Sequence, residues 1–210
     1  MMNTILLYVS SFIILFSFIL YFILIFLGKK EISNVPGLDI TSEMLNDFSG
    51  INVLLSKGRF TYYDIKRKVI KLNNNCYYGK NLDDIAISLI EAGIFVNHKR
   101  GNKIIEFFSK FIPTLKLLYI LPIIAVLINF MTFNPTDSML SLLFLFVFVV
   151  IAYILIDIKT WVLNFYSKKS SINKKIINFI KSVLYLDWFI LIGELVMIFR
   201  FIFIILNINI

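Results

Sequence analysis

Few side chains in this sequence could bind a metal ion or act as a catalytic base, and three of them lie close together along the chain. Glu91 and His98 fall in one segment with helical spacing, and Cys76 precedes it; His98 and Cys76 are the only residues of their types. Glu91 and His98 are seven residues apart, about two helical turns, so they would share a helix face but stand about 10 Å apart. One metal ion cannot bind both, and one Cys with one His cannot form a Cys/His zinc cluster.

A second pair of ionisable residues lies in the last apolar segment of the chain. Glu194 is near the middle of this segment, and Arg200 follows six residues later. An ionisable residue inside a membrane span is a functional candidate by default. Six residues turn a helix by about 240°, so the two side chains cannot pair directly. We expect Glu194 to face other helices, protonated or bonded to Asn129 or Tyr153, and to serve packing rather than ion or proton transport.

The composition indicates that these residues belong to a membrane protein. Apolar residues make up 59% of the chain and charged residues 16%. Soluble domains average about 45–50% apolar and about 25% charged residues. The apolar excess excludes an ordinary soluble domain and an intrinsically disordered chain.

Four apolar segments have the length of about 20 residues that a helix needs to cross a bilayer. They are residues 5–27, 117–133, 139–156 and 186–206. We therefore predict an α-helical integral membrane protein with four transmembrane helices and a small α+β cytoplasmic domain between helices 1 and 2. The predicted divisions are a first helix in 1–27, the cytoplasmic domain in 28–114, a transmembrane hairpin in 115–158, a basic cytoplasmic loop in 159–185 and a last helix in 186–210.

The basic residues predict the orientation of these helices. Residues 28–116 contain 14 Lys/Arg and residues 157–182 contain six, whereas the other segments between or beyond the spans contain none. Basic loops stay in the cytoplasm, so we expect a multi-pass protein of the cell membrane with its N- and C-termini outside. The expected partners are the bilayer and its anionic inner-leaflet lipids, not nucleic acid. Residues 170–182 could form a helix in the headgroup layer or a solvated connector.

The cytoplasmic segment contains patterns of short helices and strands. They are a helix over 42–48 with Thr41 as its cap, a strand over 51–55, a hairpin over 60–72, a turn at 73–75, a helix from about Asn81, and an amphipathic stretch over 103–115. Much of the circumference of the helix beginning near Asn81 is apolar, so we expect it to be buried. This helix carries Glu91 and His98.

Three stretches of this domain resemble a known family. Residues 61–72 (TYYDIKRKVIKL) look like D-H-Y-D-P-x-x-K-V-L-R-L, and residues 77–80 (YYGK) look like Y-x-G-R/K. Residues 90–98 (IEAGIFVNH) stand where H-E-A-G-H-A-x-Q-H is expected, without a gap. These are motifs of the YugP-like membrane zinc metallopeptidases, whose membrane plan is also similar. The loop after the third predicted span is a faint echo of that family's V-E-F-D.

The resemblance implies zinc as a cofactor, but the residues that would bind it differ. In H-E-x-x-H the two histidines bind zinc and the glutamate is the general base. Ile90 and Ile94 occupy the two histidine positions here, and isoleucine has no lone pair for a metal. Glu91 matches the general base, and Asp157 is the best match for the third ligand. We therefore predict no metal site, no cofactor and no active catalytic residue, with His98 as a helix-end residue.

Two functions follow from this pattern. The first is a catalytically inactive homologue that acts as a membrane-embedded binding or regulatory protein, with a membrane protein or peptide in the old substrate groove. The alternative is an active membrane metallopeptidase with a rebuilt metal site that does not use H-E-x-x-H. In the first case the Glu91 carboxylate is partly buried, and we expect it to pair with a cytoplasmic cation such as Lys159.

Overall fold

The computed structural model of the protein describes residues 2–33, 35–46, 52–58, 60–64, 66–101, 103, 121–131, 135–167 and 174–205. Its elements, in chain order, are α1 (Met2–Lys30), α2 (Gly37–Leu45), β1 (Asn52–Leu55), β2 (Tyr62–Asp64), β3 (Val69–Leu72), α3 (Asn74–Tyr78), α4 (Leu82–Lys99), α5 (Leu121–Met131), α6 (Pro135–Ser167) and α7 (Lys174–Ile205). The predicted amphipathic stretch over 103–115 lies outside the described residues, except for Lys103.

The chain forms two compact units. The helical unit comprises Met1–Phe22, Lys116–Ile156 and Tyr185–Ile210, and the mixed unit comprises Ile23–Leu115 and Asp157–Leu184. The mixed unit contains the sheet and α4, and therefore all the residues of the family resemblance.

Two helices, not the four predicted, are long and apolar enough to cross a membrane in the part of the chain that the structure describes. They are Thr4–Lys30 and Leu142–Tyr166, of which 28% and 44% of the apolar stretch is buried. By length and composition these two are candidate membrane-spanning helices. Of the second predicted span only the 11 residues of α5 are described. The fourth predicted span is part of α7, where Asp187, Glu194 and Arg200 interrupt the apolar run.

The basic segment after α6 is more helical than the sequence indicated. α6 continues to Ser167 and α7 already begins at Lys174. Ile176 and Ile180 at the start of α7 are each 1% exposed, whereas Lys174, Lys175 and Lys181 are exposed. Ile176 and Ile180 therefore pack against protein, while the lysines of the same stretch stay exposed.

The three strands form one sheet in the order β1-β3-β2. β2 and β3 are antiparallel, with Tyr63 opposite Ile70, which confirms the predicted hairpin. β1 lies parallel to β3 on its other side. Lys68, in the turn between β2 and β3, has a φ of 52°. β2 is thus an edge strand, and its unpaired backbone groups are open to side chains from elsewhere.

Two local predictions in this unit were wrong. α2 begins at Gly37, directly after Pro36, and Thr41 lies buried inside the helix instead of capping it. Pro36 ends the extended segment with a φ of −70°, which is the angle that a proline ring fixes. Asn73 does not lie in a simple turn, because its side chain accepts a hydrogen bond from the Cys76 N–H and caps α3.

Helix α4 is held in place by contacts at its start and near its middle. At its start, Ile32 forms a bridge with Asn81, and the Leu82 N–H donates to the Glu31 carbonyl at 3.3 Å. Near its middle, a Cβ added at Gly93 would lie 2.6 Å from Val162 and 3.1 Å from Ile158 on α6. The absence of a side chain at Gly93 therefore lets α4 and α6 approach closely. As predicted, α4 is buried over most of its surface.

Candidate functional site

Helix α4 presents four side chains of the family motif. Glu91 is 0% exposed and Ile94 is 1% exposed. Ile90, which precedes Glu91, and His98, near the end of the helix, are both half-buried. The motif therefore lies largely inside the mixed unit, with Ile90 and His98 at its margin.

Tyr63 of β2 contacts both polar residues of this helix face. Its backbone N–H donates to Glu91 Oε2 at 3.1 Å, and its hydroxyl lies 3.1 Å from His98 Nδ1. Its ring packs edge-on against Phe95, with 5.2 Å between ring centroids. A carboxylate that accepts a backbone N–H forms a charge-assisted hydrogen bond, stronger than one between neutral groups. Glu91 and His98 thus both bind Tyr63, one through its backbone and the other through its hydroxyl.

The electrostatics of Tyr63 keep its hydroxyl protonated. Burial raises the pKa of Tyr63, and the negative charge of the adjacent Asp64 raises it further. At neutral pH the Tyr63 hydroxyl is therefore uncharged and can donate to or accept from His98.

Three other candidates from the sequence lie in this unit and differ in exposure. Asp157 is exposed, and Cys76 is buried within α3 at 1% exposure. Lys159 is 3% exposed, which is rare for a lysine unless it is paired. Ile158, its neighbour, packs on Gly93, so Lys159 lies beside the crossing of α4 and α6.

The side chains at the two positions that the resemblance assigns to zinc ligands do not fit zinc. Ile90 and Ile94 have hydrocarbon side chains, and a metal ligand needs a lone pair. The described residues of the chain contain no group of three or more His, Cys, Asp or Glu side chains that could hold a metal ion. Glu91 and His98 instead contact Tyr63.

The sequence alone did not identify Tyr63 or Gly93 as site residues. Tyr63 is the only fully buried residue of β2. The alternation of the hairpin could have identified it as the residue of this short strand that points into the unit. Gly93 stands between large apolar residues of a buried helix, which is typical of a close helix crossing. The residues that contact Tyr63 and Gly93 could not be predicted, because they are distant in sequence.

A separate buried carboxyl lies in the helical unit. Glu194 is 0% exposed, and neither of its carboxyl oxygens has a hydrogen-bond partner within the described part of the chain. Tyr153, a predicted partner, is 62% exposed, so that prediction was wrong; the Asn129 side chain lies outside the described residues. The adjacent Gly193 packs on α1, where an added Cβ would lie 2.8 Å from Ile14 and 3.3 Å from the Ser10 carbonyl. The Glu194 side chain is therefore buried between helices of this unit, as expected.

A comparison with protein families finds a match over the part of the chain that contains α4. The family model described as neutral zinc metallopeptidase matches residues 25–160, well over half of the 210 residues. The match includes the sheet, α4 and Asp157. Neither the comparison with curated proteins nor that with solved structures found a match. The chain belongs to the neutral zinc metallopeptidase family.

Proposed function

We propose that this chain is a catalytically inactive member of its family and acts as a membrane-embedded binding or regulatory protein. The observation that carries the proposal is Ile94, which occupies the second zinc-ligand position and is 1% exposed. A buried hydrocarbon there withholds a ligand and also fills space close to where a metal would be held. Ile90 withholds the first ligand in the same way.

The contacts of Glu91 support the same proposal. A general base must reach the proton that it removes from a substrate or water. Glu91 is fully buried, and its Oε2 accepts the backbone N–H of Tyr63. This arrangement suits a residue that fastens the edge strand β2 to α4, which is a structural role.

Lys159 supplies a positive charge close to Glu91 in this proposal. Both side chains are buried, at 3% and 0% exposure, and α4 and α6 cross at Gly93, two residues from Glu91 and beside Ile158. A buried charge is costly unless a charge of opposite sign accompanies it. We infer that the Lys159 ammonium is the counterion of Glu91, so that the chain carries its own cation where its relatives would use a metal.

The proposal includes a multi-pass arrangement in the cell membrane, with both termini outside and the mixed unit in the cytoplasm. Its support is the apolar surface of α1 and α6 and the 14 and six Lys/Arg of the two basic segments. The partner would be a membrane protein or peptide that contacts the margin of the site at Ile90, which is half-buried and not fully enclosed.

Two measurements on the full chain test this function. The first is a peptidase assay in detergent with an unfolded protein as the substrate. The wild type and Glu91→Gln should hydrolyse it at the same background rate. Hydrolysis by the wild type that Glu91→Gln abolishes would contradict inactivity.

The second is photo-crosslinking in cells. A photo-crosslinking residue at position 90 should give a discrete crosslinked product. The matched control is position 78, since Tyr78 is exposed and lies on α3, outside α4. Equal crosslinking at both positions would argue against a partner at this site.

A further inference from the structure

An open cleft of the mixed unit lies on the sheet, away from the α4 motif. Its volume is about 370 Å³, and its lining includes the apolar side chains of Leu55 and Phe60 together with Lys57, Tyr62 and Lys71. The motif residues Glu91, Ile94 and His98 are not part of it. The cleft combines apolar and cationic side chains in one place.

The apolar side chains of the cleft are exposed to solvent and lie next to one another. Phe60 is 54% exposed and Leu55 is 45% exposed, and the adjacent Leu54 is 50% exposed. Single exposed apolar residues are ordinary, whereas neighbouring large ones mark an interaction surface. The core of this unit is built from other residues of the sheet, such as Ile70 and Leu72, which are fully buried.

The cationic part of the cleft is held in place. Lys71 Nζ lies 3.1 Å from the Tyr62 hydroxyl and 3.2 Å from Asp64 Oδ2. The hydrogen bond with Tyr62, together with that to Asp64, raises the pKa of Lys71, so its ammonium stays charged. Lys57, which also lines the cleft, is exposed.

The charge around the cleft is strongly positive. Residues 55–72 contain six Lys/Arg and a single acidic residue, Asp64. Lys66, Arg67 and Lys68 of the β2–β3 turn are all exposed. An apolar wall beside a cationic rim is complementary to an amphiphile with an anionic head. Nucleic acid would leave the apolar wall of Leu55 and Phe60 without a matching group.

We infer that this cleft docks on the anionic inner leaflet of the membrane, with Leu55 and Phe60 entering the acyl boundary and Lys57 facing lipid phosphates. The inference rests on the proposed cytoplasmic position of the mixed unit. Docking would hold the edge of the sheet at the bilayer surface, so that the α4 site is presented to membrane-bound partners and not to soluble ones.

The test uses the full chain in lipid nanodiscs, with an environment-sensitive fluorophore on Gly58→Cys. Gly58 lines the cleft, and a Cβ there would meet only Ser56 Oγ, at 3.4 Å. Cys76 is 1% exposed, so the wild-type chain measures background labelling. The matched control label is Tyr78→Cys, which is exposed outside the cleft. Discs contain phosphatidylcholine alone or with phosphatidylglycerol, and brominated acyl chains serve as quenchers.

The expected result is a blue shift and quenching of the label at position 58 in discs with phosphatidylglycerol, and little change at position 78. Because each basic residue near an anionic surface contributes about 1 kcal/mol, Lys57→Glu should lower the docked-to-free ratio at least about fivefold. Phe60→Ser should also lower it. Lys80→Glu, a charge reversal at an exposed lysine outside the cleft, should leave it unchanged.

Four outcomes would overturn the inference or the membrane arrangement on which it rests. A label at position 58 that stays in water in both kinds of disc contradicts docking. Equal quenching without phosphatidylglycerol, or equal loss in Lys57→Glu and Lys80→Glu, contradicts recognition of anionic lipid by this cleft. A chain that does not enter discs at all contradicts the proposed membrane arrangement itself, which distinguishes failure of the proposed function from failure of the docking surface.

Discussion

At the scale of single residues, the helix segment that resembles a metallopeptidase motif is mostly buried. Ile94 is buried, and the Glu91 carboxylate bonds the backbone of Tyr63 on an edge strand. The loss of zinc ligands at Ile90 and Ile94 stays a prediction from the sequence, and it depends on side-chain type alone. It did not predict Tyr63 as the contact of both Glu91 and His98, since that contact joins residues 28 and 35 positions apart.

A double-mutant cycle tests the proposed pairing of Glu91 with Lys159. Glu91→Gln keeps an acceptor for the Tyr63 N–H but removes the charge, and Lys159→Met removes the cation while nearly keeping its length. Each single change should lower the free energy of unfolding by about 3 kcal/mol, because it leaves a buried charge without its counterion. The double variant should be close to the wild type. Thermal or denaturant unfolding in detergent measures this, and additive losses would show that the two do not interact.

Asp83, in the first turn of α4, should make stability depend on pH. Burial and the neighbouring Asp84 raise the pKa of Asp83 to about 6, against the opposing charge of Lys29. Between about pH 4 and 6 the folded chain therefore keeps a proton that the unfolded chain releases, and stability falls as pH rises through this window. A position near a helix N-terminus favours a carboxylate, but burial outweighs it here.

Asp83→Asn removes this cost. At pH above about 7 the variant should be more stable than the wild type by about 1 kcal/mol, which is less than the whole shift because Asp83 is partly exposed to solvent screening. Below about pH 4 the two should unfold at the same temperature. A variant that is less stable at neutral pH would show that the Asp83 charge helps the fold.

At the scale of elements, the sequence predicts a helix or strand correctly where its own residues show a clear periodicity. The hairpin and α4 are found where the sequence predicted them, since alternation and helical spacing are properties of the segment itself. α2 starts before the predicted position because it follows Pro36 directly, and α3 replaces the predicted turn because Asn73 caps it. Such end signals compete within a few residues, so the boundary depends on packing.

The crossing of α4 and α6 depends on Gly93, and an alanine there should be harmful. Alanine is better than glycine in a helix by about 1 kcal/mol, so propensity alone predicts stabilisation. The added Cβ would lie 2.6 Å from Val162 Cγ2 and 3.1 Å from Ile158 Cγ2, both on β-branched side chains with few rotamers in a helix. Gly93→Ala should therefore lower the free energy of unfolding by a net amount of about 1–3 kcal/mol, measured by thermal or denaturant unfolding in detergent.

Gly58→Ala is the matched control for this change, because a Cβ at Gly58 has room. It should leave the free energy of unfolding nearly unchanged. If Gly93→Ala were as stable as the wild type, the close approach of α4 to α6 would be wrong.

At the scale of the whole molecule, the composition predicted four spans, and the described residues contain two helices long and apolar enough to cross a membrane. Counting apolar residues finds segments of sufficient length, and α1 and α6 are such helices. α7 is similarly long, yet Asp187 and Glu194 are buried within it, at 1% and 0% exposure. Buried ionisable groups cannot be told from lipid-facing ones by sequence position, since this depends on which helix faces meet. Assigning α7 to a span therefore needs more than its length.

The metal content of the purified full-length chain decides whether the family's zinc site has been lost. Zinc measured by mass spectrometry should be at background in the wild type, because Ile90 and Ile94 supply no ligand. The variant Ile90→His/Ile94→His restores the motif on the same helix face and should gain zinc, which shows that the measurement can detect it. Stoichiometric zinc in the wild type, lost in Glu91→Gln or His98→Ala, would contradict the proposed inactivity and indicate an active metal centre.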